Sequence, residues 1–118
     1  MKAGTAAAVA LAGLMASGSV MADGNQFLIQ CQTLVRAMDS QGPADFDTGH
    51  CMGVVQAVTD MLALYQDQLP KKFCVPSTVT YGQGARIVAK YLQENPKFLN
   101  NQDTVLVLAA YANAYGCK

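Results

Sequence analysis

Four cysteines, Cys31, Cys51, Cys74 and Cys117, constrain this chain more than any other feature, because all of them follow an export leader. The leader, MKAGTAAAVALAGLMASGSVMA, has one early charge at Lys2 and an apolar run from Ala6 to Met15. It ends in small residues, with Val20 and Ala22 placed as a signal peptidase requires. The run is too short and too broken by glycine to span a membrane. Cleavage is therefore expected after Ala22, giving residues 1–22 as a secretory signal peptide and 23–118 as a single domain. The leader lacks a lipobox cysteine. No later segment approaches the roughly 18 uncharged apolar residues of a spanning helix. An even number of cysteines in an oxidising compartment reads as two disulfides, with three possible pairings. A domain this small has a limited core, so such crosslinks matter to its stability.

The remainder reads as all-α, a small disulfide-stapled bundle of four main helices. The first is expected from about Asn25 to Asp39, with Phe27, Cys31, Leu34 and Met38 at helical spacing. Ser40 to Gly49 is a loop by its Gly, Pro and Asp content. Asp47 or Thr48 then caps a second helix. On it Cys51, Val54, Val55, Val58, Leu62, Tyr65 and Leu69 share one arc, opposite Asp60 and Asp67, which makes this the clearest amphipathic helix. It stops at Pro70. Thr80 and Gln83 form a capping box for a third helix, whose Ile87, Val88, Tyr91 and Leu92 face the core. That helix ends at Asn95, before Pro96. A fourth runs from about Gln102 to Tyr115, from an asparagine cap to Gly116 as a left-handed stop.

The third and fourth helices are joined by a short turn and should be antiparallel. Cys74 precedes one and Cys117 follows the other, so both lie at the same end of a hairpin, where a bond is geometrically easy. The favoured pairing is thus Cys74 with Cys117, leaving Cys31 with Cys51. In the loop-entropy treatment these links contribute about 4 and 3 kcal/mol respectively.

Enzymatic chemistry finds little support. His50 and Cys51 are adjacent, but neighbours on a helix diverge by roughly 100° and do not form a nucleophile–base pair. Cys51 faces the core arc, and His50 is expected in solvent. The cysteines are too widely spaced, and the single histidine too isolated, for a zinc site. Asp45, Asp47, Asp60 and Asp67 read as capping or solvated carboxylates rather than an acid–base pair. No catalytic residue, metal or cofactor is expected. Eight basic residues balance eight acidic ones, which leaves no footprint for nucleic acid or an anionic membrane. Tyr81, Tyr91, Tyr111 and Tyr115 suit either a binding surface or a core edge, and the core reading is preferred. Phe98 and Leu99 divide in the same way between packing under a turn and presenting an exposed tip, with packing preferred.

A pattern across these residues resembles the Rap/Tai family of periplasmic immunity proteins, which protect bacteria from type VI secretion amidases. That family shows runs like CxGYxxGVxD and FCxPxxVTxxQ, a VVxKYLxxNP helix end and a terminal cysteine. The matching residues here are Cys51, Gly53, Val58 and Asp60, then Phe73, Cys74, Pro76, Val79, Thr80 and Gln83. Val88, Lys90, Tyr91, Leu92, Asn95, Pro96 and Cys117 complete the match. Val54 stands where an aromatic is usual, Ala57 replaces a glycine, and the ending is YGC rather than FPC. The resemblance implies a small periplasmic domain similar to HdeA-type acid-stress chaperones. Its role would be to bind a peptidoglycan amidase toxin and block its cleft, and it would be a homodimer. The contact segment would be the turn Pro96, Lys97, Phe98, Leu99, Asn100 and Asn101. The alternative function is an acid-stress chaperone or an envelope structural protein.

Overall fold

The computed structural model describes residues 23–118, so the expected signal peptide and its cleavage after Ala22 lie outside the described residues. Among those residues there are four α-helices and no strand: α1 Gly24–Ser40, α2 Phe46–Tyr65, α3 Tyr81–Glu94 and α4 Asp103–Tyr115. Two single 3₁₀ turns, Gln66–Gln68 and Pro96–Phe98, follow α2 and α3.

Each helix boundary has a local cause. Asp23 caps α1, its carboxylate accepting from the Asn25 amide. At the other end Gln41 is left-handed (φ 54°), and Gly42 N–H donates to the Ala37 carbonyl at 2.8 Å. The cap of α2 is Asp45, two or three residues ahead of the expected Asp47 or Thr48. Thr48 is instead the third helical residue of a capping box: its amide donates to Asp45, and its hydroxyl accepts from the Asp45 amide. The α-helical part of α2 ends at Tyr65 rather than reaching Leu69. Pro70 holds Leu69 extended (φ −82°, ψ 144°), so the chain tightens into a 3₁₀ turn before it. The expected box at α3 is present, Thr80 accepting from the Gln83 amide at 3.1 Å while Gln83 accepts from the Thr80 amide at 2.9 Å.

The fourth helix departs from expectation at both ends. Gln102, not an asparagine, precedes it and caps nothing with its side chain; Asp103 in the first turn complements the helix dipole instead. Gly116 is extended (φ −63°, ψ 141°), not left-handed. It forms an isolated antiparallel bridge with Phe73. A Cβ there would lie 2.7 Å from the Ala112 carbonyl oxygen, and that crowding is what selects glycine.

The core is built from Phe27, Cys31 and Leu34 of α1, Cys51, Val55, Val58 and Leu62 of α2, Val88 and Leu92 of α3, and Leu106, Val107 and Tyr111 of α4. The buried arc of α2 is narrower than its sequence suggests, because Tyr65 swings out to solvent. Phe46 and Leu64 lie outside too, 83% and 71% exposed, so α2 is apolar on both faces and α3 is the more clearly two-sided helix.

Disulfides join Cys31 to Cys51, with Cα atoms 5.2 Å apart, and Cys74 to Cys117, 5.0 Å apart. Their surroundings differ. The first bond is buried in the core between α1 and α2, while both residues of the second are exposed.

Candidate functional site

Helices α2 and α4 run in the same direction, which three contacts establish. His50 meets Asp103 at their starts, Thr59 meets Tyr111 midway, and Phe73, past the end of α2, pairs with Gly116. The outer face of this pair and the turn between α3 and α4 carry the candidate functional surfaces.

The turn from Pro96 to Asn101 is tightly knotted. Phe98 N–H donates to the Asn95 carbonyl at 3.0 Å, and Leu99 N–H to that of Pro96 at 3.3 Å. Asn101 closes on the Phe98 carbonyl with both its amide (3.1 Å) and its side chain (2.9 Å). The turn is also tied to the start of α1, where Gly24 N–H donates to the Leu99 carbonyl at 2.9 Å. Gly24 is glycine for that reason: a Cβ would collide with the Leu99 backbone. Leu99 is 5% exposed and packs under the turn, so its side chain cannot serve as a partner contact. Pro96, Lys97 and Asn100 are exposed, Asn101 is half-buried, and Phe98 is 39% exposed with the Lys97 ammonium 5.1 Å from its ring centroid.

His50 is not the free solvent histidine expected from its sequence position. Its Nε2 lies 2.7 Å from Asp103 Oδ2, its ring meets Phe27 edge-on at 5.9 Å, and Phe46 stacks on it at 6.4 Å. The pair joins the first turns of α2 and α4. Nothing nucleophilic stands beside it, since Cys51 is locked in the buried disulfide. Among the described residues, no cluster of three or more His, Cys, Asp or Glu could hold a metal ion.

The tyrosines divide by burial. Tyr111 is in the core, and its phenol donates to Thr59 Oγ1 at 2.5 Å, because the threonine hydroxyl already donates to the Val55 carbonyl at 2.7 Å. Burial pushes the Tyr111 phenol up in pKa. Tyr81 is at the surface, donating to Asp60 at 2.6 Å, which raises its pKa and links α3 to α2. Asp60 is therefore engaged rather than simply solvated.

A further surface lies on the outer face of α2 and α4. Met61 of α2, Leu69 and Phe73 of the connector, and Val105, Leu108 and Ala112 of α4 line an apolar groove of about 540 Å³. Its residues come from three separated segments, so no single run of sequence announces it. No helix among the described residues is long and apolar enough to cross a membrane.

A protein-family model described as Rap1a immunity proteins matches residues 23–117. No curated protein and no solved structure matches the chain.

Proposed function

Because the chain belongs to the family of Rap1a immunity proteins, we propose that it is a periplasmic immunity protein that binds and inhibits a type VI secretion peptidoglycan amidase by occluding its active-site cleft. The family match carries this reading. A stiff shape supports it: two disulfides and a hydrogen-bonded turn hold exposed side chains in place before any partner arrives. Preorganisation of that kind lowers the ordering cost of binding. Within this reading the signal peptide ends at Ala22, and the inhibitor acts as a homodimer. The turn contributes Pro96, Lys97, Phe98, Asn100 and Asn101 to the contact.

The test is co-expression with a type VI secretion peptidoglycan amidase directed to the periplasm, chosen first from any encoded next to this gene. Protection of cells secreting that amidase, with a complex on copurification and loss of hydrolysis in vitro, is the expected outcome. An amidase that kills equally well with and without this protein overturns the proposal. Suppression of client aggregation near pH 2–3 without any effect on an amidase would favour the acid-chaperone alternative instead.

A further inference from the structure

The groove between α2 and α4 has a distinct chemical polarity. Its wall is apolar, Val105 is 46% exposed, and the largely exposed Leu64 lies one turn beyond Met61. One end is basic. Lys71 lines the groove, Lys72 follows it, and the Phe73–Gly116 bridge brings Lys118 to the same end. None of these three lysines makes an ion pair among the described residues. Asp67 is the one carboxylate between Leu62 and Lys72.

We propose that this groove seats an apolar segment of the effector protein whose end carries carboxylates. The proposal rests on the immunity reading above and adds a second contact, apart from the Pro96–Asn101 turn. Burial of the Met61, Phe73, Val105 and Leu108 surfaces supplies the attraction. Lysine stems lie along apolar surface while their ammonium groups stay wet at the rim, where they steer an acidic partner and fix its register. A second copy of this chain fits less well. Laid antiparallel across a two-fold axis, it would bring the starts of α2 and α4 to these lysines, where Asp103 is held by His50 at 2.7 Å, Asp45 accepts from the Thr48 amide and Asp47 accepts from Gln30.

The experiment is calorimetric titration of the disulfide-intact protein with the purified amidase that it protects against in the co-expression test, at low and high salt. The variants are K71E/K72E, V105D and, in the turn, F98A. All four positions are exposed, and circular dichroism with a thermal midpoint checks each fold. The expected result is a loss of affinity of about tenfold or more for both K71E/K72E and V105D, with salt dependence flattened in K71E/K72E. Wild-type binding that both groove variants leave unchanged, whatever F98A does, overturns the groove assignment and leaves the immunity reading standing. Groove variants that abolish self-association in sedimentation while keeping amidase affinity assign the groove to a second copy and also overturn it. A wild-type protein that binds no amidase overturns both readings together.

Discussion

Gly84 and Tyr111 form a fitted pair at the centre of the molecule. A Cβ on Gly84 would overlap the Tyr111 hydroxyl and lie 3.0 Å from Val55 Cγ1. The glycine thus gives up helix propensity, about 1 kcal/mol relative to alanine, to make room for a buried phenol that needs its partner Thr59. Gly84→Ala should therefore destabilise the wild type by about 1–3 kcal/mol. In a Tyr111→Phe background the same change should cost clearly less. A double-mutant cycle by urea denaturation measures the difference, and simple additivity would show that the two residues do not compete for this space. The sequence alone could not reveal this pairing. Gly84 reads there as a weak helix residue, and the steric conflict exists only once α4 is laid against α3.

Among the elements, the third helix was the most legible, because its start is written in four consecutive residues, Thr80-Tyr81-Gly82-Gln83. Both reciprocal bonds of that box are present. Thr80→Ala should lower stability by about 1 kcal/mol, read as a drop in the thermal midpoint, with Thr80→Ser retaining most of it. The start of α2 was misplaced for a related reason. Asp45, Asp47 and Thr48 are all good capping residues, and only the reciprocal bonding of Asp45 with Thr48 decides among them. His50 was misread because periodicity reports which way a side chain leaves its own helix, not which neighbour waits there. Its partner Asp103 belongs to a helix that begins far along the chain. The groove is likewise a product of tertiary packing that no local pattern marks. Gln66 shows this at small scale: its side chain accepts from the Val75 amide at 3.0 Å, pinning the connector to the end of α2, with no local pattern to mark it.

At the scale of the whole molecule, acid and reductant should act differently. Asp39, hydrogen-bonded to Arg86, and Asp45, accepting from the Thr48 amide, are both held below the usual aspartate range. A carboxylate depressed in the folded state adds stability above its unfolded pKa of about 3.9, and that stability is lost as pH falls through the lower folded value. The thermal midpoint should therefore hold steady down to about pH 4 and decline below it. A decline already complete by pH 5 would place the sensitive group elsewhere. Reduction should be ordered by exposure: a mild thiol reductant should open Cys74–Cys117 well before Cys31–Cys51. Differential alkylation and mass spectrometry read the order, and simultaneous opening would show that the buried bond gains no protection from the core.

The two sulfur links enclose separate, non-overlapping stretches, Cys31 to Cys51 and Cys74 to Cys117. A protease nick inside either stretch cuts the backbone without releasing a fragment, since both new ends stay tethered. Only scission between Cys51 and Cys74 lets the halves part; α2 covers that interval as far as Tyr65, which leaves the exposed Pro70–Lys72 stretch as its accessible part. The molecule is therefore suited to stay in one piece after a clip inside either loop, a useful property for a protein that would have to persist outside the cytoplasm with no means of resynthesis there.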